Sequence, residues 1–243
     1  FKMCVAIYKP ENIQTPSLDT LKKCWEANPD GAGFALCTSG DKYAIEIHKG
    51  YMTWKQFKAA FEKYRLADFA GDMLLHFRIA THGGISPGNT HPFSLTGDVK
   101  LLKHTNVLTN YALIHNGMLP IKPKGDISDT MEFCRRLAPL YQNIPSAFNL
   151  IEGMAGNNKI AVMTRERVHL FGQWECVEGV YFSNLLWDWS WDIEPFLPDK
   201  AGLALLRKGV CPDCDAEVMR DKNKFYCLGC DAIWTTEVSK CAF

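Results

Sequence analysis

Short apolar stretches separated by polar turns fill most of the chain's first two hundred residues. Met3 to Tyr8 is apolar and is stopped by Lys9-Pro10, which predicts a buried strand. From Ser17 to Ala27, Leu18, Leu21 and Trp25 recur at helical spacing, and Asn28-Pro29-Asp30-Gly31 follows as a turn. Phe34–Cys37 and Tyr43–His48 flank Ser39-Gly40-Asp41 and read as a hairpin. Thr53-Trp54-Lys55-Gln56 has the capping-box pattern and opens a helix to about Tyr64.

Met73–Ala80 is a further strand, followed by a loop rich in Gly, Pro and Asn from Thr81 to Thr90. Tyr111–His115 is a short strand ending in Asn116-Gly117. Ser128-Asp129 precede a helix over Thr130–Tyr141, with Phe133, Cys134, Leu137 and Tyr141 on one face. Lys159–Met163 and Val168–Phe171 form a second hairpin around Thr164–Arg167, and Val180–Phe182 is another strand. Strands, helices and more strands in this order predict an α+β domain with largely antiparallel sheet. Pro195, Pro198, Asp199, Lys200 and Gly202 mark a boundary before a smaller C-terminal module.

Composition narrows the classes. The 243 residues are 47% hydrophobic and 22% charged, enough for one large domain with its own core plus a small module. With 27 Lys+Arg against 27 Asp+Glu, bulk charge gives no support for attachment to nucleic acid or a membrane surface. No apolar run approaches the roughly 20 residues a membrane helix needs, and Met3–Tyr8 is too short for a signal-peptide core. The chain reads as intracellular and cytoplasmic.

Ten cysteines divide into two groups. Six are scattered through apolar patterns and read as core filler. The other four form Cys211-Pro-Asp-Cys214 and Cys227-Leu-Gly-Cys230, with 12 residues between the pairs. A CxxC turn delivers two thiolates to one metal, and two such turns complete a tetrahedral Zn site. The Ala216–Tyr226 stretch reads as a hairpin joining them, and Ile233-Trp234-Thr235 as a closing strand. The module from 207 to 243 is therefore read as a zinc ribbon, structural because four Cys ligands close the coordination shell. Six Lys/Arg and six Asp/Glu balance there, which favours docking or stabilisation over phosphate binding. Lys222 and Lys224 beside Phe225 and Tyr226 leave only a weak nucleic-acid option.

In the large domain, four polar segments stand where loop filler would suffice. They are Cys4 beside an apolar strand, His76-Phe-Arg-Ile-Ala-Thr-His-Gly83 leading into Asn89-Thr-His-Pro92, His115-Asn-Gly117, and Ser128-Asp-Thr130. With Asp30-Gly-Ala-Gly33, their order and spacing over residues 1–200 resemble the class II glutamine amidotransferases, which are N-terminal-nucleophile hydrolases. The resemblance implies a four-layer αββα sandwich and hydrolysis of the glutamine side-chain amide. It implies Cys4 as nucleophile, with its own α-amine as base. Asn116 and Gly117 would donate to the oxyanion. Arg78 would fork onto the substrate carboxylate, Asp129 would take the α-ammonium, and Thr81 and His82 would add contacts to L-glutamine.

The chemistry of these residues is consistent with that role. A thiol near pKa 8.5 and an α-amine at about 7.7–8.0 are nearly matched for proton exchange. A guanidinium grips a carboxylate bidentately, as Lys cannot. His76 and His91 are read instead as structural histidines framing a loop. Ile79 stands where many relatives carry an aromatic. The mechanism needs Cys4 to be the first residue, so Met3 is taken as an initiator removed in the cell, and Phe1-Lys2 as foreign to the natural chain. Relatives join the glutaminase to a synthase domain. The segment after Pro198 is too short for one, which points to a separate ammonia-accepting synthase, perhaps one that modifies a nucleotide or nucleic-acid base. A catalytically inactive binding protein of the same fold and a Cys amidohydrolase for another amide are the alternatives. Leu185–Trp191 is read as core-packed aromatics, with a docking surface or channel lid as the other option.

Overall fold

The computed structural model describes residues 3–38, 44–80, 84–123, 125–142, 144–187, 200–221, 224–230 and 233–235. The chain divides into two compact units, Phe1–Asp188 and Trp189–Phe243. Among the described residues no helix is long and apolar enough to cross a membrane.

The first unit holds β1 (Val5–Lys9), α1 (Leu18–Ala27), β2 (Ala32–Thr38), β3 (Ala44–Tyr51), α2 (Trp54–Lys63) and β4 (Met73–Phe77). After these come β5 (Phe93–Ser94), α3 (Val99–Lys103), β6 (Asn106–Thr109), β7 (Ala112–Asn116), α4 (Asp129–Leu137) and α5 (Ile144–Ala155). It closes with β8 (Lys159–Met163), β9 (Val168–Phe171), β10 (Glu175–Val177) and β11 (Val180–Phe182). A seven-stranded sheet runs β10-β11-β1-β4-β2-β3-β6, and a four-stranded sheet runs β5-β7-β8-β9. Neighbouring strands pair antiparallel throughout.

The helix starts follow their caps. Ser17 accepts from the Thr20 N–H at 3.1 Å ahead of α1. At α2, Thr53 accepts from the Gln56 N–H at 3.2 Å and Gln56 returns a side-chain oxygen to the Thr53 N–H at 3.0 Å, the predicted capping box. Ser128 accepts from the Met131 N–H at 3.1 Å at the start of α4.

Strand alternation distributes the core. Val5 and Ile7 of β1, Phe34 and Leu36 of β2, and Leu75 and Phe77 of β4 pack with Leu21, Trp25, Phe57 and Phe61 of α1 and α2. Residues of opposite parity, Ala6, Ala35 and Leu74, pack with Ala112, Ile114, Ala161 and Met163 of the second sheet. The other face of that sheet, Leu113, Ile160 and Val162, packs with Met131, Phe133, Leu137 and Ile151 of α4 and α5. Alanines on both facing surfaces are interspersed with larger side chains, Leu74, Ile114 and Met163 among them. At Gly33 a Cβ would lie 2.2 Å from the His91 carbonyl oxygen.

Several elements differ from the sequence expectation. β4 stops at Phe77 rather than Ala80, because the Ile79 N–H and carbonyl both turn to the Cys4 sulfur, each at 3.3 Å. The Thr130–Tyr141 helix ends at Leu137 and tightens into a 3₁₀ turn over Ala138–Gln142. The turn between β2 and β3 lies outside the described residues. Lys200–Arg207, read as part of a boundary, forms α6, whose Leu206 packs with the C-terminal module. Trp187 is 4% exposed and packs in the core, while Trp189 and Trp191 lie outside the described residues.

The second unit adds a three-stranded sheet in the order β12 (Val218–Asp221), β13 (Lys224–Cys227) and β14 (Ile233–Thr235). Among its described residues, Leu206, Cys211, Val218, Phe225, Cys227 and Trp234 form a buried cluster.

Candidate functional site

Strand parity carries two of the predicted residues to one place. On β1, Ala6 faces the second sheet, so Cys4, two residues earlier, points the same way. On β7, Ala112 and Ile114 face the first sheet, and Asn116 shares their side at the strand's end. The β1–β4 ladder ends with Val5 paired to Phe77, and Cys4 and Arg78 are the next residues on the two chains.

The Asp30-Gly31 turn holds the segment that carries Arg78. The Arg78 N–H donates to the Gly31 carbonyl at 2.8 Å, and the Asp30 N–H donates to the Arg78 carbonyl at 3.0 Å. Asp30 Oδ2 accepts from the Ala80 N–H at 2.8 Å. Arg78 is 4% exposed, contrary to the usual surface placement of a strand arginine. Its guanidinium donates to the Gly84 carbonyl at 3.3 Å, an oxygen that also accepts from Asn89 Nδ2 at 2.9 Å. Burial lowers the Arg78 pKa, while Cys4, Asp30 and Asp129 hold it up. Burial pushes the Cys4 thiol above its ordinary value; the Ile79 N–H and Arg78 pull it down, and Asp129 adds to the rise. Cys4, Arg78 and Asp129 thus lie within one electrostatic neighbourhood.

Asp129 opens α4, where the first-turn N–H groups favour a carboxylate. Its oxygens accept from the Leu119 N–H at 3.0 Å and its neighbour Thr130's N–H at 2.7 Å. These bonds hold the carboxylate just past the Asn116-Gly117 turn. Gly117 has φ +133°, and a Cβ there would lie 2.2 Å from Asn158 Oδ1, so glycine is required. Thr81 and His82 lie outside the described residues.

Three residues of this site were not foreseen: Ser183, Asn184 and Asn158. Ser183 Oγ accepts from the Ala6 N–H at 2.9 Å and from Asn116 Nδ2 at 3.0 Å. Asn184 Nδ2 donates to the Cys4 carbonyl at 2.9 Å. Asn158 lies on the helix-facing side of the second sheet. Its Nδ2 donates to the Ala155 carbonyl at 2.8 Å, so its Oδ1 must accept from His115 Nε2 at 2.9 Å. His115 Nδ1 is then bare and accepts the Thr130 hydroxyl proton at 2.9 Å. Only the turn-like Asn-Gly dipeptide hinted at this arrangement in the sequence; the serine and both asparagines lie 41 or more residues beyond it.

His76, His91 and His115 form a buried set. The His76 and His91 rings stack at 4.0 Å, His76 Nε2 donates to the His115 carbonyl at 3.0 Å, and the His115 N–H donates to His91 Nδ1 at 3.3 Å. These bonds tie β4, the loop before β5 and β7 together directly behind Asn116, the structural role expected for His76 and His91. Burial lowers all three pKa values, that of His76 to about 3 and that of His91 well below the ordinary value. The folded state therefore keeps them neutral in a pH range where the unfolded chain, with pKa about 6.5, takes up protons. Stability is present in full well above pH 6.5 and falls as the pH drops through and below it, by up to about 1.4 kcal/mol per pH unit for each histidine that stays neutral, for His76 down to about pH 3. Urea unfolding midpoints are expected to decline steadily from pH 7 to pH 5; a midpoint constant over that range would contradict the assignment.

In the second unit, the sulfurs of Cys211, Cys214, Cys227 and Cys230 all lie within 4.8 Å of one another. Cys211 and Cys230 sulfurs are 3.7 Å apart, and those of Cys214 and Cys227 are 3.4 Å apart. Four sulfurs about 2.3 Å from one tetrahedral centre would be about 3.8 Å apart, so the cage fits Zn. The Gly229 and Cys230 N–H groups donate to Cys227 Sγ at 3.2 and 3.3 Å, and the Asp213 N–H donates to Cys211 Sγ at 3.3 Å. Such bonds favour thiolates and orient metal ligands.

A separate cleft of about 230 Å³ lies by the β8–β9 turn, with Asn110, Tyr111, Arg165, Arg167 and His169 in its wall. It includes none of the predicted site residues.

No model of a known protein family matches the chain, and no curated protein matches it in sequence. Among solved structures it is similar to a glutamine phosphoribosylpyrophosphate (PRPP) amidotransferase from B. subtilis, complexed with ADP and GMP. The identity is 19% and the TM-score 0.44, with 74% of this chain and 41% of that chain covered. The chain spans less than half the length of that protein.

Proposed function

We propose that residues 1–200 form a class II glutaminase domain, a four-layer αββα sandwich of the N-terminal-nucleophile type, and that residues 207–243 form a structural zinc ribbon. The observation that carries this reading is the meeting of the Cys4 sulfur, the Arg78 guanidinium and the Asp129 carboxylate in one electrostatic neighbourhood, with Asn116 joined to the Cys4 strand through Ser183. The succession of buried clusters, helices on sheet, sheet on sheet, sheet on helices, supports the sandwich.

In this mechanism residues 1–3 are removed and the freed α-amine of Cys4 accepts the thiol proton. The burial that raises the thiol pKa makes such a base necessary. The thiolate adds to the side-chain carbonyl of glutamine, whose α-carboxylate lies on Arg78 and α-ammonium on Asp129. The oxyanion takes hydrogen bonds from Asn116 Nδ2 and the Gly117 N–H. Collapse breaks the C–N bond, the Cys4 α-ammonium returns its proton to the leaving nitrogen, and ammonia departs. Water then cleaves the thioester, giving glutamate and the free thiol. Thr81 and His82 complete the glutamine site. Ammonia passes to a separate synthase, one acting on a nucleotide or nucleic-acid base, in the cytoplasm.

The test is intact-mass analysis of the protein matured in the cell, with and without a glutamine-analogue electrophile. The expected result is a chain beginning at Cys4 that gains one label, and no label on Cys4→Ala. A mature chain that keeps residues before Cys4, or one that takes no label, would overturn the reading in favour of a binding protein.

A further inference from the structure

We propose that Ser183 is a positioning residue, whose buried hydroxyl oxygen holds the Asn116 carboxamide in register with the strand that carries Cys4. The inference rests on the reading of Cys4 and Asn116 given above and adds a residue to it.

Ser183 follows β11 and is 2% exposed. It is tied to β1 twice: its N–H donates to the Ala6 carbonyl at 2.8 Å, and its Oγ accepts from the Ala6 N–H at 2.9 Å. The same Oγ takes a proton of Asn116 Nδ2 at 3.0 Å. Ala6 belongs to the first sheet and Asn116 to the second, so one oxygen bridges the strand of the nucleophile and the strand of the oxyanion donor. The segment is braced: Asn184 Oδ1 accepts from the Leu186 N–H at 3.1 Å, and the Trp187 indole donates to the Asn184 carbonyl at 3.0 Å.

The terminal torsion of an asparagine is soft, so an unanchored carboxamide samples a broad range of orientations. Asn116 Nδ2 carries two protons. With one committed to Ser183, the orientation of the other is set, and that proton is the one offered to an oxyanion. Such preorganisation matters where negative charge develops, not where glutamine first binds. Its loss therefore appears in kcat and leaves KM in place.

The test compares Ser183→Thr with the near-isosteric Ser183→Val, and with Ser183→Ala, in the matured protein. Val and Ala are expected to lower kcat for glutamine about 10- to 100-fold with KM within about twofold, and Thr to stay within about threefold of wild type. Alkylation of Cys4 by iodoacetamide, which needs no oxyanion donor, is expected at the wild-type rate in all three. The side-chain amide protons of Asn116, assigned by their absence in Asn116→Ala, are followed by ¹⁵N NMR on the same samples. They are expected to be protected from exchange in wild type and Thr, and unprotected in Val and Ala. Equal loss of kcat in Thr and Val, or equal amide protection in all variants, would overturn the proposal. If wild type does not hydrolyse glutamine, the reading of the site falls on that measurement, and amide protection alone decides whether Ser183 anchors Asn116.

Discussion

Replacing Cys4 with Ala is expected to lower glutamine hydrolysis by at least about 10⁴-fold, the scale of losing a nucleophile from an acyl-transfer site. Binding is expected to survive. Arg78 and Asp129, which would carry the ends of the amino acid, do not depend on the sulfur for their backbone supports, the Asp30-Gly31 turn and the Leu119 N–H. Calorimetry with glutamine on Cys4→Ala and on wild type therefore separates the three readings of the fold. Hydrolysis by wild type, with retained binding by the variant, marks an amidohydrolase. Binding by both with no hydrolysis by either marks a binding protein. Equal turnover of N-acylated glutamine by wild type would move the substrate to another amide, because Asp129 would then have no ammonium to hold. Cys4→Ser is expected to be slower than wild type but faster than Cys4→Ala, since a hydroxyl is intrinsically less nucleophilic than a thiol yet can still pass its proton to an N-terminal amine.

The residues legible in the sequence are those whose role is local. The Thr53–Gln56 capping box, the hairpin around Thr164–Arg167 and the paired CxxC turns are each fixed within a few residues, and each stands where the pattern placed it. Helix α5 has no counterpart in the sequence analysis, although Pro145 stands at its second position. Proline there sits where no intrahelical N–H is needed, so it opens the helix. Helix α3 and strand β5, five and two residues long, are too short to show a period.

The site divides along the same line. Arg78, Asn116, Gly117 and Asp129 belong to compact polar motifs. Ser183 acquires its partners only when β11 pairs with β1, placing Tyr181 opposite Tyr8 across more than 170 residues of chain. Asn158 precedes β8, and the β7–β8 ladder, pairing Asn116 with Lys159, brings it beneath Gly117. Nothing in the local sequence of either residue separates it from an ordinary loop serine or asparagine. Register, not composition, gives both their roles.

Metal removal is expected to unfold the second unit and leave hydrolysis by the first in place. Among the described residues the second unit's buried cluster contains six side chains, and two of these, Cys211 and Cys227, would be metal ligands themselves. A core of that size does not hold so small a unit together without a staple. Four thiolates on zinc supply about 10–16 kcal/mol in comparable small modules at neutral pH. Without the ion, four sulfurs within 4.8 Å of one another repel on ionising, and the N–H bonds to Cys211 and Cys227 are too few to offset that. Dialysis against a strong chelator is expected to release one zinc per chain. It should expose Trp234, now 3% exposed, as a red shift in its fluorescence, and make four thiols reactive that were protected. Cys227→Ser is expected to give the same spectrum without a chelator, because it removes the sulfur that accepts both the Gly229 and the Cys230 N–H groups. The four-cysteine shell leaves no open coordination position for substrate. Glutamine turnover is therefore expected to persist after zinc release; a fall in parallel with the metal would tie the ion to the chemistry. A chain that keeps its fluorescence and its thiol protection when metal-free would overturn the zinc assignment.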